Sequence, residues 1–433
     1  MNVHVTKTVP ITFKMVVDAY RKVRAGGKAA GIDGESWEEF DKDVQSNLYV
    51  IWNRMSSGSY HPSAVREVEI PKKDGKMRKL GIPTLRDRIA QGVVKEYMEK
   101  KIDHQFHEHS YGYRPLKSSR GAIEEVRKNC KDQDWVIDLD ISKFFDEIDH
   151  DLLLKGVEKM IEEKWVRMYV SRWLKMRIVN KEGKEYDREG KGTPQGGVIS
   201  PLLSNIFLHY ALDKWLELNY GHISFVRYAD DMVIHCKTRE EAERILSAIK
   251  ERLGQVKLRL NEQKTQIVYC KDYRRKENHQ KVQFGFLGFS YQPRKSKSQY
   301  EESKSYTAYT AEISKENQKK IREVIKETIH WRNTSMEIRD IAKKLNSKLR
   351  GWINYFGLYG KGALRRTMIY LDYHIVRWLQ AKHKISGIRE ATRKLTAIMK
   401  ENPRMFYHWE KGYCYVIKKW HEPYDRRLSR TVL

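Results

Sequence analysis

Two neighbouring carboxylates, Asp230 and Asp231, sit between Phe225, Val226, Arg227, Tyr228 and Ala229 on one side and Met232, Val233, Ile234, His235 and Cys236 on the other. Such flanks predict a hairpin with both acids at its tip. Adjacent like charges in a tight turn repel unless they are solvated, capped or neutralised by a cation, and hard divalent ions take carboxylate oxygens. An exposed turn in which each Asp bonds its own backbone is the other reading of the pair taken alone.

A second acidic stretch runs from Asp134 to Asp146. Period-two geometry puts Ile137, Leu139 and Ile141 on one face and Val136, Asp138 and Asp140 on the other. The alternative is a half-exposed strand, but the flanks are almost all apolar or aromatic, which points to acids lining a cleft. Upstream, Val65 to Pro83 alternates into and out of an Asp-Gly turn at 74–75, which predicts a cationic β-hairpin. Lys72 and Arg78 flank that turn and could converge on one polyanionic group such as a triphosphate; a solvated charged hairpin is the plain reading. From Gly190 to Pro201 a glycine-rich turn feeds a helix carrying Leu202, Leu203, Ile206, Phe207, Tyr210 and Ala211. Backbone in such a turn can approach a ligand closely, although most such turns only connect.

These pieces need elements to position them, and the bulk numbers bound what those are. At 433 residues the chain suits two to four subdomains. Its net charge of +27 calls for a polyanionic partner, nucleic acid first. Aromatics at 11% exclude a disordered basic tail. No apolar run approaches the roughly 20 residues of a spanning helix, so no membrane is expected. Cys130, Cys236, Cys270 and Cys414 lack CxxC spacing, which excludes a zinc module and a disulfide framework and implies a reducing cytoplasm.

Along the chain, a helix from Thr12 to about Arg24 precedes a basic loop at 26–34, which reads equally as a linker or a phosphate contact. After the acidic hairpin come a helix at 240–253, a strand pair at 258–270 enclosing 261–265, and an aromatic hairpin at 284–291. The polar, basic run 293–298 predicts a domain boundary. Beyond it, Ile321, Val324, Ile325 and Ile329 form one helical stripe, and Ile338, Ile341, Ala342, Leu345, Leu349, Trp352, Ile353 and Phe356 another. Thr334 and Glu337 have capping-box spacing before the second, and a third helix includes Met368 to Leu379. Lys343, Lys344, Lys348, Arg350, Arg365 and Arg366 give this bundle a basic outside. The tail from about Ser386 mixes Arg404, Phe406, Tyr407, Trp409, Tyr413, Tyr415, Lys418, Lys419 and Trp420, suited to single strands or RNA. A small core is the other use for its aromatics.

Together, acids on two strands, a cationic hairpin and a glycine-rich turn are what two-metal nucleotidyl transfer requires. Asp140 and Asp230 are the expected ligands, with Asp231 beside them.

The chain also resembles a known family. Tyr-Ala-Asp-Asp at 228–231, Gly-Thr-Pro-Gln-Gly-Gly at 192–197, the run from Asp140 to Asp146, Ser-Tyr-Gly-Tyr-Arg-Pro at 110–115 and the hairpin at 70–83 look like successive motifs of reverse transcriptases encoded by group II introns. The segment 345–356 looks like that family's maturase-specific thumb, and Ala-Gly-Ile-Asp-Gly at 30–34 like its N-terminal extension motif. The resemblance implies an α+β, right-hand polymerase: an N-terminal extension at 1–35, fingers and palm with antiparallel sheet and helices at 36–292, a linker at 293–305, an α-helical thumb and maturase domain at 306–385, and a small basic, aromatic nucleic-acid-binding tail at 386–433.

It implies catalytic, metal-holding carboxylates at Asp140, Asp230 and Asp231, with the Ile141 carbonyl as a further ligand. Two Mg2+ ions would sit there, Mn2+ being able to substitute. Lys72, Arg78, Arg114 and Gln195 would surround the nucleotide and Phe145 would exclude a ribose 2′-hydroxyl. Lys264 is a candidate general acid for pyrophosphate. Phe286, Leu287, Gly288 and Arg350 would contact primer and template. The implied partners are group II intron RNA, an RNA template with a DNA primer, a DNA target and dNTPs, met in a bacterial cytoplasm or nucleoid. One departure is the tail: it offers only Cys414, so the family's cysteine-bearing endonuclease domain is expected to be absent. The expected function is RNA-directed DNA polymerase and maturase, with a splicing-only maturase or a domesticated relative in repair or phage defence as alternatives.

Overall fold

Runs of β-branched and aromatic residues become strands throughout the computed structural model, which describes residues 8–27, 29–71, 77–297 and 305–414. The chain packs as two units, Met1–Tyr269 and Cys270–Leu433. In the first, the strands are β1 (Val65–Pro71), β2 (Met77–Ile82), β3 (Trp135–Leu139), β4 (Ile178–Val179), β5 (Glu185–Tyr186), β6 (Ser224–Tyr228), β7 (Asp231–Cys236) and β8 (Gln266–Tyr269).

The sheet that carries the acids runs β6-β7-β3-β8, antiparallel throughout. Its central strand β3 is covered on both faces, with Val136 and Ile137 fully buried, so the expected split into a dry and an acidic face holds only for the acids. Asp138 is satisfied by Gln266 Nε2, which donates at 3.1 Å. Helix Arg239–Gln255 lies against β3 and β7, burying Ala242, Ile245, Ile249 and Leu253 at helical spacing. The expected strand pair at 258–270 is β8 alone, since Leu260 makes only an isolated bridge to Ile141. The tight turn at 261–265 leaves no length for a second strand.

The other sheet, β2-β1-β4-β5, contains the cationic hairpin; β1 and β2 pair from Arg66↔Ile82 to Pro71↔Met77. Lys72 and the Asp-Gly turn lie outside the described residues. Behind the hairpin, helix Leu85–Ile102 starts at Thr84, whose side chain caps Asp87 N. Buried Asp87 accepts from the Tyr60 hydroxyl at 2.8 Å and the Ser63 amide at 3.1 Å. The N-terminal loop is clasped through its carbonyls: Trp37 Nε1 and Arg88 Nη1 donate to Gly27 O at 3.3 and 3.2 Å, Arg88 Nη2 donates to Ala29 O, and Arg66 Nη2 donates to Ala30 O at 2.6 Å. Packing, rather than a free linker, accounts for it.

In the second unit, β9 (Phe284–Phe286), β10 (Phe289–Lys297) and β11 (Ser305–Ile313) form one antiparallel sheet. The expected linker at 293–305 is therefore strand as far as Lys297 and again at Ser305, with 298–304 outside the described residues. Its basic residues read as loop because their partners lie across the hairpin: Arg294 Nε sits 2.8 Å from Glu312. Helices Lys315–Thr328, Ile338–Phe356, Lys361–His383 and Ile388–Glu401 follow. The second stripe is buried from Ile341 to Phe356, while Lys343, Lys344, Lys348, Arg350, Arg365 and Arg366 are exposed. The capping box is formed by Glu337 and Asp340, a turn later than the Thr334 spacing predicts. Phe406, Trp409 and Tyr413 are buried, so these tail aromatics build core; Trp409 Nε1 donates to Asp372 at 2.8 Å. No helix among the described residues is long and apolar enough to cross a membrane.

Two buried histidines make the first unit acid-sensitive. Burial pushes His235 in β7 down to about 3 and His209 to about 4, the latter partly offset by Asp213. Both stay neutral in the fold and would charge near pH 6.5 once unfolded. Their stabilisation is complete above about pH 6.5 and is lost as pH falls toward 4, by at most about 1.4 kcal/mol per pH unit for each. Urea unfolding at pH 7, 5.5 and 4.5 should show this loss, and His235→Phe should flatten it; an unchanged pH slope in the variant would refute the assignment.

Candidate active site

The acidic hairpin closes through a two-residue turn. Tyr228 pairs with Asp231, leaving Ala229 and Asp230 as the loop, with Ala229 at φ +57° as a type II′ geometry needs at its first position. The two acids thus separate: Asp230 is at the tip and half-buried, whereas Asp231 is the first residue of β7 and exposed. The register Leu139↔Met232, continued by one residue, sets Asp140 against Asp231. Burial raises the Asp230 carboxyl above the usual carboxylate range; its own backbone amide opposes this, Asp140 adds to it, and Arg78 and Arg227 pull the other way.

Asp140 is held by its backbone. Thr265 Oγ1 accepts from Asp140 N at 3.2 Å, Asn261 N donates to Asp140 O at 2.8 Å, and Ser142 N donates to Arg259 O at 2.9 Å. Neither backbone bond uses the carbonyl of Ile141, which lies buried between them. The same turn brings Lys264 Nζ to 3.6 Å from Asp140 Oδ2.

Toward the cationic hairpin, Arg78 Nε donates to Gln195 Oε1 at 2.6 Å and Gln195 Nε2 donates to Asp146 Oδ1 at 2.9 Å. One chain of bonds therefore links the cationic hairpin, the glycine-rich turn and the segment after β3. Gly196, at φ +125°, lets the turn press on β2: a Cβ there would come within 2.7 Å of Gly81 O. Phe144 is the core member of its pair and Phe145 the half-buried one, its carbonyl accepting from Thr193 N at 2.8 Å.

Arg114 departs from expectation. Its Nε donates to Asp103 Oδ1 at 2.9 Å, Nη1 to the carbonyls of His107 and Ser110 at 2.8 Å each, and Nη2 to Asp103 O and Oδ2 at 2.7 and 3.4 Å. All five N–H groups are used, and the side chain is 6% exposed, so none remains for a nucleotide. The fork instead fixes the segment leading to Gly112, where a Cβ would lie 2.3 Å from Ala229 N. The Ser-Tyr-Gly-Tyr-Arg-Pro motif is the seat on which the acidic turn rests.

Phe286, Leu287, Gly288 and Arg350 belong to the second unit. Phe286 is buried; Leu287 and Gly288 form the β9–β10 turn, whose carbonyls accept from the Tyr355 hydroxyl at 2.9 Å and Asn317 Nδ2 at 3.0 Å. Arg350 is exposed, 5.4 Å from the Tyr407 ring centroid.

Among the described residues no three His, Cys, Asp or Glu side chains converge as a ready-made metal cage. The donor set nonetheless fits a divalent ion: hard carboxylate oxygens on two strands, one of them with its charge disfavoured by burial and by its neighbour. Asn205, Asp213, Asp146 and Thr265 escaped the sequence reading. A lone Arg227 inside an apolar strand and a lone Asp213 in an apolar helical run were the available signal, since buried charges need partners.

Acids at the ends of an antiparallel sheet, beside a cationic hairpin, define the class of template-directed polymerases. Residues 70–291 match the family Reverse transcriptase (RNA-dependent DNA polymerase), and 318–396 match Group II intron, maturase-specific domain. The chain is 33% identical to Protein YkfC of Escherichia coli (strain K12), over 57% of this chain and 74% of that one. It is 27% identical to Group II intron-encoded protein LtrA of Lactococcus lactis subsp. cremoris, over 81% of this chain and 69% of that one. A Putative COX1/OXI3 intron 1 protein of Saccharomyces cerevisiae is 32% identical over 47% of this chain and 24% of its own. The chain belongs to the reverse transcriptases encoded by group II introns, an RNA-directed DNA polymerase joined to a maturase domain. Reverse transcriptases of this kind depend on divalent metal.

Arg114→Gln should lower stability by roughly 3 kcal/mol and leave the KM for dNTP within about twofold of wild type. Thermal unfolding with steady-state primer extension reads both; a raised KM at unchanged stability would restore a nucleotide contact.

Proposed function

We propose that Asp140 and Asp230, supported by Asp231 and the Ile141 carbonyl, hold two Mg2+ ions for template-directed DNA synthesis, Mn2+ being able to substitute. Bound there, the ions would activate the primer 3′-hydroxyl and stabilise charge on the departing pyrophosphate. The observation that carries this reading is the register that sets the β6–β7 turn with Asp230 and Asp231 beside Asp140 at the end of β3, where Asp140 adds to the upward shift that burial gives the Asp230 carboxyl. Like charges held so close call for a cation.

The chain's own residues divide the remaining work. Arg78, together with Lys72, takes the triphosphate, and the bond from Arg78 to Gln195 orients Gln195 at the nucleotide's border. Phe145, half-buried against the core ring of Phe144, excludes a ribose 2′-hydroxyl in this reading. Lys264 carries the proton for pyrophosphate; its 3.6 Å approach to Asp140 supports that role. Leu287, Gly288 and Arg350, with Phe286 packing beneath them, contact the primer and template. The exposed basic faces of the second unit take group II intron RNA, and a DNA target serves mobility. This work suits a bacterial cytoplasm or nucleoid.

Primer extension on an RNA template with dNTPs and Mg2+ should vanish in Asp230→Ala, while acceleration of intron splicing at low Mg2+ persists. Normal extension by the variant would sink the site; loss of splicing with extension intact would reverse the division of labour. Phe145→Ala should incorporate ribonucleotides with at least about tenfold better relative efficiency, measured as the ratio of kcat/KM values. Unchanged sugar discrimination would remove the gate.

A further inference from the structure

Arg227 is fully buried in β6, three residues before Asp230. Its Nε donates to Asp213 Oδ1 at 2.7 Å, its Nη2 donates to Asp213 Oδ2, and its Nη1 donates to Asn205 Oδ1 at 2.9 Å and to Ala229 O at 3.0 Å. Asn205 Nδ2 donates to Gly112 O at 2.7 Å. Asp213 and Asn205 are themselves fully buried. One guanidinium thus grips the catalytic turn's own carbonyl, and one amide grips the segment on which that turn rests.

The elements behind these groups are shaped for the purpose. Asp213 ends a π-helical stretch, His209–Asp213, continuing helix Ser200–Leu208. Such widened turns free carbonyls, and Arg252 donates to those of Tyr210 and Ala211 at 3.1 and 3.0 Å. Helix Ser200–Leu208 begins where the glycine-rich turn bearing Gln195 ends. A rigid strut therefore runs from the nucleotide-side turn to the acid-bearing turn. A buried ion pair adds little stability over apolar residues of the same volume, so its worth lies in what it orients. Here that is Ala229, a residue with a Cβ held at φ +57°.

We infer that Asn205, Asp213 and Arg227 form a buried clamp that sets Asp230 relative to Asp140 and Gln195, and so are positioning residues for nucleotidyl transfer. The inference rests on the acid site proposed above. None of the three touches substrate. Their effect passes through the turn to metal affinity and to alignment for the chemical step.

The test uses the full chain, oligo(dT) on poly(rA), dTTP and a Mg2+ titration. Asn205→Ala removes the bridge to Gly112, and Arg227→Lys keeps a cation beside Asp213 but loses the fork to Ala229 and Asn205. Both should melt below wild type but stay folded at the assay temperature and keep dTTP KM within about twofold, while kcat falls by about 10²-fold and half-saturating Mg2+ rises several-fold. Wild-type kcat and Mg2+ requirement in folded variants would overturn the clamp. So would a loss of kcat that tracks a lowered melting temperature with no change in Mg2+ requirement. Asp230→Ala run alongside separates the two ideas: its inactivity beside wild-type clamp variants removes the clamp alone, whereas its normal activity removes the acid site beneath it.

Discussion

Carboxylates that repel one another must be held close, and much of the first unit is built around that constraint. Asp230 is half-buried at a turn, with Asp140 near enough to disfavour its charge further. Neither acid is free to swing away. Asp140 is tied by its backbone to Asn261 and Thr265, and Asp230 sits in a two-residue loop whose first residue adopts a left-handed conformation. Such a site stores unfavourable electrostatics, and a rigid surround keeps it from relaxing.

Part of the rigidity comes from two buried arginines whose guanidiniums are bonded within the fold. Arg114 spends its whole fork on Asp103, His107 and Ser110, and Arg227 spends its own on Asp213, Asn205 and Ala229. Two arginines in motif-like positions thus serve the backbone rather than a ligand. Arg78 is the contrasting case: it stands on an exposed strand, bonded to Gln195, with its charge directed toward the acids. Burial separates the two arginines that brace the backbone from the one that stays exposed on the hairpin.

In the second unit the same economy appears in a helical setting. Apolar stripes at helical spacing are buried, cations stay outside, and the last aromatic cluster closes on Asp372 through Trp409 and His408. Its hairpin β10–β11 carries Arg294 against Glu312, which is why a basic stretch can be strand. The unit's charge is therefore surface charge on a packed bundle, suited to a polyanion with its own fold.

From the sequence alone come the acids at 140 and 230, the cationic and aromatic hairpins, the helical stripes of the second unit and the class of chemistry, because period, turn residues and charge are local properties. The same reading misplaced Arg114 and took 293–305 for a linker, and it missed Asn205 and Asp213 altogether. Those are long-range facts. Whether a guanidinium faces Asp103 or a nucleotide, and whether a basic run finds Glu312 across a hairpin, depends on partners far away in the chain. Asp230 and Asp231 show the division most directly. Their adjacency is written in the chain, but only the register of β6 on β7 half-buries one at the tip and leaves the other exposed at the head of a strand. One residue of pairing decides which acid falls in the loop and which opens the strand, because the register fixes where pairing stops and the turn begins.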